Sequence, residues 1–374
     1  MSAGGGNTSV EERARGRGWA RRTLYGGGGA AGAVWRGAAR PLAGVWRRVA
    51  ERRLTVAQGA VRLPAPAIAV GNVTVGGGGK TSLVAWVLEE ALPEGSVAAV
   101  LSRGYGRSGD GVWVLEPGPA DPETARQAGD EPALLARRGA WVGVAADRAR
   151  AAGAVARRAR PDVYVLDDAL QHRRVARALD LVAFTAADLT APARCLPAGP
   201  LRQGPGWMPE RGAWIVTGAD PRREEWPRGT IGAAFAAWWR EVPGTGADWE
   251  SGPAAELGAW VAAGEAPFHA GGREVVAFAG VARPESVRRT AVDAGVPLAG
   301  LVAYADHARY TPRLVAALLR AHSEAAFVTT EKDAVKLDPA WFAGRPVGVL
   351  RRRLVPRDPE LLRVLVAEAL AAGA

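Results

Sequence analysis

The stretch from Ala65 to Leu83, APAIAVGNVTVGGGGKTSL, decides how the rest of the chain is interpreted. An apolar run from Ala67 to Val70 leads into four consecutive glycines and then Lys80-Thr81, and apolar residues follow at helical spacing. Glycine permits a positive φ and lets backbone N–H groups approach a polyphosphate, while a helix N-terminus and a lysine add positive charge. Strand, glycine-rich loop, Gly-Lys-Thr and helix together predict a nucleotide phosphate-binding loop.

The predicted loop consists of eight residues that begin at Thr74 and end with the lysine and threonine. They are Thr74, Val75, Gly76, Gly77, Gly78, Gly79, Lys80 and Thr81. The strict pattern has glycine where this chain has Thr74. A glycine run by itself is more often a flexible linker, but the preceding strand and the Lys-Thr pair favour phosphate binding.

The composition describes a folded, basic chain. The 374 residues suffice for two domains, 48% of them are apolar, and the formal net charge is +10. Of the 48 lysines and arginines, three are lysine: Lys80, Lys332 and Lys336. In so arginine-biased a chain, a retained lysine suggests a site that needs a compact ammonium group.

The positive charge is compatible with nucleic acid, an anionic membrane or phosphorylated substrates, and equally with charge spread over a solvated surface. The single Cys195 excludes an internal disulfide and fits a reducing compartment. We predict no transmembrane helix, because no apolar segment of about 18 residues occurs. The Gly- and Arg-rich start also lacks the apolar core of a secretory signal.

The N-terminal region divides into a segment of low complexity and an amphipathic segment. We predict disorder at the start of residues 1–33. From Val34 to Leu54, apolar residues near helical spacing alternate with arginines, and Pro41 marks a start or a kink. These apolar residues include Trp35, Leu42, Val45, Trp46 and Val49. The pattern predicts a helix that lies in a membrane interface or packs on a neighbouring domain.

Strands alternate with helices from Ala67 to Thr217, which predicts an α/β domain with a parallel, doubly wound, P-loop NTPase-like sheet. Residues 219–270 are rich in Trp, Pro and Gly and are interpreted as an irregular entry to a second domain. Alternation resumes at Val275. The predicted organisation is therefore an N-terminal segment at 1–54, a P-loop core at 55–218 and a smaller α/β domain at 219–374.

Two pairs of carboxylates are candidates for chemistry. Asp167-Asp168 ends an apolar strand, as a Walker B acid does when it reaches Mg²⁺ beside the Thr81 hydroxyl. Asp130-Glu131 opens a helix. Asp130 is interpreted either as a helix N-cap or as a functional carboxylate, and Glu131 as a group that helps to hold Mg²⁺ or accepts a proton.

Two further residues are candidates for the same site. Arg103 lies in a predicted tight loop, Ser102 to Arg107, after a strand, where it either meets a phosphate or forms a plain surface turn. His172 follows the predicted Walker B acids closely. It is interpreted as a residue near the phosphates or as a solvated surface histidine.

Together, the motifs resemble those of the tetraacyldisaccharide 4′-kinase (LpxK) family of lipid A biosynthesis, over about residues 30–350. That family's phosphate loop carries Thr or Ser at the position of Thr74. The motifs that carry the resemblance, in chain order, are TVGGGGKT (74–81), SRGYGR (102–107), GDEP (129–132), DDALQHRR (167–174), LPAGPLR (196–202), FAGVARP (278–284), DH (306–307) and TEKDAVK (330–336).

The resemblance implies an enzyme that transfers the γ-phosphate of ATP, with Mg²⁺, to the 4′-hydroxyl of a tetraacyldisaccharide 1-phosphate, giving lipid IVA. It implies a peripheral protein at the cytoplasmic face of the bacterial inner membrane, which meets the anionic membrane surface through its N-terminal segment. A P-loop kinase or ATPase for another small acceptor, and a nucleotide-dependent nucleic-acid-binding protein, are the alternatives. No nucleic-acid motif is present, so we expect no nucleic-acid partner.

The resemblance also assigns roles. It implies that Lys80 and Thr81 hold the phosphates and Mg²⁺, that Asp167 or Asp168 is the Walker B acid, and that Asp130 is the catalytic carboxylate with His307 as its partner. Glu131 and His172 match further active-site positions. The chain departs from the family at Ala169, usually glycine, and at Ala308, often a second histidine. Lys332 and Lys336 are interpreted as ligands of the substrate's 1-phosphate or as parts of a structural loop.

Overall fold

A computed structural model of the chain describes residues 19–55, 59–76, 79–119, 121–204, 208–209, 211–217, 225–237, 244–248, 257–261, 264–281, 284–351 and 354–373. The strands are β1 Ala67–Gly71, β2 Ala98–Ser102, β3 Trp113–Leu115, β4 Trp141–Val144, β5 Val163–Leu166, β6 Leu179–Thr185, β7 Gly212–Thr217, β8 Gly244–Asp248, β9 Leu257–Val261, β10 Gly264–Pro267, β11 Val275–Ala279, β12 Leu298–Ala303, β13 Ala326–Thr330, β14 Val347–Leu350 and β15 Val355–Pro356.

The helices are α1 Gly29–Ala38, α2 Arg40–Thr55, α3 Lys80–Trp86 with a π-helical continuation Val87–Ala91, α4 Pro122–Ala128, α5 Asp130–Arg137, α6 Arg148–Ala156, α7 Ala186–Thr190, α8 Ile231–Ala234, α9 Glu285–Asp293, α10 Pro312–Ala321, α11 Glu331–Ala334 and α12 Pro359–Ala372, with a 3₁₀ turn at Pro339–Phe342.

Within the described ranges there are two sheets, and the larger has nine strands in the order β15-β8-β7-β6-β1-β5-β2-β4-β3. Its pairings from β8 to β4 are parallel, and the edge strands β15 and β3 are antiparallel. All residues of β1 and β2 are buried, as expected for strands that helices cover on both faces. The predicted parallel, doubly wound sheet is confirmed.

The parallel register places the predicted motifs side by side. Because β1 pairs with β5, Ala69 opposite Leu166, the phosphate loop and Asp167-Asp168 leave neighbouring strands at one sheet edge. Carboxyl ends of parallel strands are where open α/β sheets bind ligands. The fold therefore assembles the two motifs into one site.

The smaller sheet has six strands in the order β10-β9-β14-β13-β11-β12. Strands β12, β11, β13 and β14 are parallel, and β9 and β10 extend the sheet in antiparallel fashion. A second, smaller α/β unit is thus present. It supplies His307 from the segment after β12 and α11 from the end of β13.

The predicted boundary at residue 219 is wrong for the last part of the chain. Strands β8 and β15 belong to the larger sheet, and α12 packs on it. The apolar face of α12, Leu362, Val366 and Ala369, is buried in the same core cluster as Ile68 of β1. The strands from β9 to β14 therefore form a unit inserted into the P-loop domain. The prediction failed because the amphipathic pattern of α12 does not specify which sheet the helix covers.

The N-terminal amphipathic segment consists of α1 and α2, which meet at Ala39 instead of forming one helix. Pro41 lies in the first turn of α2, which agrees with a helix start there. Six large apolar side chains on the two helices are exposed: Val34, Trp35, Leu42, Val45, Trp46 and Val49. Among the described residues, no helix has the length and apolar character needed to span a membrane.

Candidate active site

The phosphate loop places Lys80 over its own backbone. The Lys80 ammonium nitrogen lies 3.3 Å from the Gly76 carbonyl oxygen, 3.4 Å from Asn72 Oδ1 and 3.6 Å from Asp168 Oδ1. Gly76 and Gly79 have φ values of 125° and 81°, which residues other than glycine rarely adopt. Gly77 and Gly78 lie outside the described residues. One loop oxygen and two side-chain oxygens from outside the loop thus surround the lysine, and a phosphate would compete for the same ammonium group.

Thr74 has a structural role at the entry to the loop. It is buried, its hydroxyl oxygen accepts a hydrogen bond of 3.2 Å from Asn72 Nδ2, and its backbone pairs with Leu201. The Tyr25 hydroxyl lies 2.8 Å from the carbonyl oxygen of Val75. The segment that precedes α1 therefore fixes the phosphate loop at this end.

Asp168 is the paired member of the two Walker B candidates. It has a φ of 46°, and its carboxylate oxygens lie 2.8 and 3.0 Å from the Arg202 guanidinium. Burial acts to raise the pKa of Asp168, but Lys80 and Arg202 outweigh it and hold that pKa below its usual range. The residue with the positive φ in this turn is Asp168, so position 169 does not require glycine. The alanine found there, a departure from the family, is therefore compatible with the turn.

Asp167 has the opposite environment. It is buried, and its nearest described partner is the Ser102 hydroxyl, 3.3 Å from Oδ2. Burial, together with the charges of Glu131 and Asp168, raises the pKa of Asp167 to about 7. Like charges crowded at this point favour a cation among them.

The donor set at this point fits Mg²⁺. Within the described part of the chain, no three His, Cys, Asp or Glu side chains are grouped so as to hold a metal by themselves. Mg²⁺ needs no such cage, because one or two carboxylates together with substrate phosphates and water are its usual ligands. The charges of Glu131 and Asp168 raise the pKa of Asp167, and a bound cation would reduce this repulsion among the carboxylates.

Asp130 does not cap its helix. Gly129, with a φ of 110°, occupies the N-cap position of α5, and Asp130 lies in the first turn, so the capping interpretation is wrong. Its carboxylate is largely buried and faces the smaller domain instead. Oδ2 lies 3.1 Å from His307 Nδ1 and 3.6 Å from the Lys336 ammonium nitrogen.

His307 comes from the smaller domain in a constrained conformation, with a φ of 57°. Its second ring nitrogen, Nε2, lies 3.2 Å from the Lys332 ammonium nitrogen, which lies 3.5 Å from Glu131. An ammonium can only donate, so Nε2 accepts and Nδ1 carries the proton that it donates to Asp130. Burial acts to raise the pKa of Asp130, but the His307 hydrogen bond and Lys336 outweigh it and lower that pKa, which keeps the carboxylate ionised at neutral pH.

Three residues of this cluster carried no assigned role in catalysis. Lys332 and Lys336 contact the Asp130–His307 pair, and the rarity of lysine in the chain was the signal that singled them out. The Tyr105 ring, from the SRGYGR loop, lies 5.9 Å from the His307 ring, and no sequence pattern pointed to it.

Ala308, the second departure from the family, packs against Gly280. A Cβ added at Gly280 would lie 2.7 Å from the Ala308 Cβ. A larger side chain at position 308 would need more room.

For two predicted site residues, the described hydrogen bonds and ion pairs show no contact with the Asp130–His307 cluster. Arg103 is exposed, and the described hydrogen bonds and ion pairs do not join it to a site residue. Burial and the neighbouring Arg148 lower the pKa of His172 to about 4, and its Nε2 is buried with no hydrogen-bond partner in the structure. His172 is therefore a partly buried side chain that is neutral at neutral pH, which argues against the solvated-surface interpretation; its place near the phosphates stays a prediction.

A pocket of about 240 Å³ lies between the two domains beside the phosphate loop. The P-loop domain contributes Thr81, Glu131 and Arg138 to its wall, and the smaller domain contributes Glu331 and Lys332. The pocket connects the first turn of α3 with the Asp130–His307 region. Lys332 in its wall lies 3.2 Å from His307 Nε2, so the pocket runs from a phosphate-binding motif to the neighbours of a carboxylate–histidine pair, a combination expected of a phosphotransferase.

A family model described as tetraacyldisaccharide-1-P 4′-kinase, LpxK, matches residues 35–370. The chain belongs to this family. Residues 74–81, 130–131, 167–168 and 307 all fall within the matched range. The family is one of kinases, so the resemblance carried by the motifs is confirmed.

Individual relatives agree with the family assignment. The tetraacyldisaccharide 4′-kinase of Anaeromyxobacter dehalogenans strain 2CP-C is 38% identical over 313 residues, 81% of this chain and 80% of the relative. That of Methylobacterium radiotolerans is 38% identical over 336 residues, 89% and 94% of the two chains. The crystal structure of the "apo" form of LpxK from Aquifex aeolicus in complex with ATP superposes with a TM-score of 0.67 at 24% identity, covering 90% of this chain and 99% of the other, which supports the fold.

Proposed function

We propose that this chain transfers the γ-phosphate of ATP to the 4′-hydroxyl of a tetraacyldisaccharide 1-phosphate and so produces lipid IVA. Family membership supports the reaction. The observation that carries the proposal is the Asp130–His307 pair, 3.1 Å apart, next to Glu131 and Lys332 in the wall of the pocket that reaches Thr81. An ATPase that lacked an acceptor substrate would not need a second domain to orient a carboxylate there.

At the nucleotide end, residues Thr74 to Thr81 bind the phosphates and Lys80 exchanges its loop oxygens for phosphate oxygens. Thr81, Asp167 and Glu131 would hold Mg²⁺, with Asp168 beside them. An ion held by these residues would supply positive charge that neutralises the phosphates during the transfer. Asp168 meanwhile keeps Lys80 and Arg202 oriented through its two ion pairs.

At the acceptor end, Asp130 takes the proton of the sugar hydroxyl as the new P–O bond forms. The transition state of phosphoryl transfer is loose, so a carboxylate with a low pKa suffices when it is well placed. His307 fixes the orientation of Asp130 through Nδ1–H, and Lys332 fixes the tautomer of His307. Because Asp130 and His307 come from different domains, closing the cleft both completes the site and excludes water.

The lipid substrate requires access to a membrane. We assign the exposed apolar side chains and arginines of α1 and α2 to contact with an anionic bilayer, at the cytoplasmic face of the inner membrane. The indole N–H groups of Trp35 and Trp46 donate to the carbonyl oxygens of Pro197 and Arg202. Arg202 contacts Asp168, so this segment lies next to the phosphate site.

The deciding experiment is transfer of label from γ-labelled ATP to a tetra-acylated disaccharide 1-phosphate in detergent micelles. Transfer is expected with wild-type protein and Mg²⁺, and not with Lys80→Met or in excess EDTA. The same disaccharide without acyl chains, and DNA or RNA, serve as competing acceptors. No lipid product from protein that still binds ATP would contradict the proposal.

A further inference from the structure

We propose that Arg138 is a positioning residue for the phosphoryl transfer. Its ion pair with Glu331 docks α11 of the smaller domain against the end of α5, and thereby sets His307 and Lys332 opposite Asp130. This inference rests on the proposed function of the Asp130–His307 pair. It adds a contact between the domains that lies at the opposite end of α5 from that pair.

The ion pair is buried and well formed. The Arg138 side chain is 4% exposed, and its Nη2 lies 2.7 and 3.0 Å from the two Glu331 oxygens. Its Nη1 donates to Glu89, in the π-helical turn after α3. Arg351 lies 3.3 Å from Glu331 on the other side. Glu331 is thus held from both domains, and Arg138 links it to the helix that carries Lys80 at its start.

The geometry makes this pair part of a two-point contact. Helix α5 begins with Asp130 and Glu131, ends at Arg137, and is about 12 Å long. Helix α11 begins with Glu331, which contacts Arg138, and Lys332, which contacts Glu131 and His307. Because adjacent residues of α11 bind opposite ends of α5, the two contacts fix both the position and the direction of α11. Without the Arg138 contact, the remaining contacts, Lys332 to Glu131 and Lys336 to Asp130, would both lie at the start of α5, and α11 could pivot about that end.

The energetics favour a role in placement over a role in stability. A buried ion pair contributes little net stability, whereas removing one partner leaves an uncompensated charge. What such a pair supplies is a defined relative arrangement. In this protein, the Arg138–Glu331 pair fixes how the two domains lie relative to each other, so that His307 comes within hydrogen-bond distance of Asp130.

The test uses the full-length enzyme and the lipid-kinase assay, with Arg138→Gln, Glu331→Gln and the double variant. Each single change is expected to lower kcat about tenfold. The kcat of the double variant should be no lower than that of the less active single variant, because the two residues act as a unit. The ATP KM should stay within about twofold. Arg138→Lys should restore part of kcat only, because one ammonium group cannot bind Glu331 and Glu89 at the same time in the fixed geometry of the guanidinium. Arg363→Gln, in an exposed pair with Glu90 and Glu360, is the matched control and should match wild type.

A second measurement separates placement from general structural damage. In an Asp130→Asn background, Arg138→Gln should lower the remaining activity by less than twofold, since the pair acts through Asp130. Equal losses in both backgrounds would overturn the proposal. So would a raised ATP KM with unchanged kcat, because Arg138 and Glu331 also line the pocket and would then be nucleotide ligands. Absence of lipid kinase activity in wild type would instead remove the proposed function itself.

Discussion

In the proposed reaction, the phosphate loop and the Asp130–His307 cluster both place charge beside the transferring group, but their structures differ. The loop takes eight adjacent residues after one strand and positions Lys80 by backbone conformation. The cluster joins residues 177 positions apart and positions Asp130 by contacts between domains. The loop is complete within one domain, whereas the cluster exists only when two domains are in contact.

The two regions share one chemical choice. All three lysines of the chain lie in them: Lys80 in the loop, Lys332 at His307 and Lys336 at Asp130. Arginine, the prevalent cation of the chain, instead makes the surrounding ion pairs, such as Arg202 to Asp168 and Arg138 to Glu331. A compact ammonium thus appears where a cation must fit beside reacting groups, and a planar guanidinium where two oxygens are to be held.

The largest effect is expected from Asp130→Asn, which breaks the cluster and leaves the loop. We expect kcat to fall by about 10²–10⁴-fold, because the base is lost, while ATP affinity is unchanged. Turnover in the lipid-kinase assay and equilibrium ATP binding measure the two quantities. A parallel loss of ATP affinity would show that the two regions are not separable.

Lys80→Met breaks the loop and leaves the cluster. We expect kcat to fall by about 10²–10³-fold, as for removal of one preorganised charge donor, together with weaker ATP binding. Titration of ATP binding alongside turnover tests this. If Lys80→Met kept wild-type ATP affinity and turnover, the loop would not be the nucleotide site.

A smaller effect, on stability, distinguishes the two acids beside the loop. The pKa of Asp167 is raised to about 7, so the folded protein loses stability as the pH rises toward and through that value. The pKa of Asp168 is lowered, so its ionised form contributes stability that is lost on acidification. In EDTA at pH 8, Asp167→Asn should raise Tm by a few degrees and Asp168→Asn should lower it similarly. The Asp167 difference should shrink between about pH 7 and pH 4, whereas the Asp168 difference should be lost only below about pH 4. Shifts of the same sign in thermal scans would contradict the assignment.

The smallest effect on chemistry is expected from the N-terminal helices. Leu42→Ser with Val45→Ser removes two exposed apolar side chains of α2. We expect weaker co-sedimentation with anionic vesicles, and a kcat in detergent micelles within about twofold of wild type. Equal vesicle binding by the variant and wild type would remove the membrane role of this face.

The sequence was informative where function depends on neighbouring residues. The glycines and Lys80 predicted the loop, and the apolar strand before Asp167 predicted the Walker B position, because both follow from local backbone geometry. It was less informative where packing decides. Asp130 has the pattern of an N-cap, yet Gly129 takes that position and frees the carboxylate for His307. The apolar face of α12 likewise predicted a helix without indicating that it covers the larger sheet.

Contacts between distant residues were the hardest to predict. Nothing in the sequence around Arg138 or Tyr105 indicates that the smaller domain contacts them. Asp168 supplies the positive φ that makes a glycine at position 169 unnecessary, which no local pattern indicated. Lys332 and Lys336 were identified as unusual by composition, but their partners depend on how the domains pack.

The central claim is that Asp130 and His307 act as one unit, and a double-mutant cycle tests it most directly. Asp130→Asn, His307→Gln and the double variant are compared by kcat in the lipid-kinase assay, with ATP binding as the check on folding. We predict that His307→Gln costs about 10²-fold alone and less than about threefold once Asp130 is replaced. Multiplicative losses, with each residue costing the same in both backgrounds, would contradict the account.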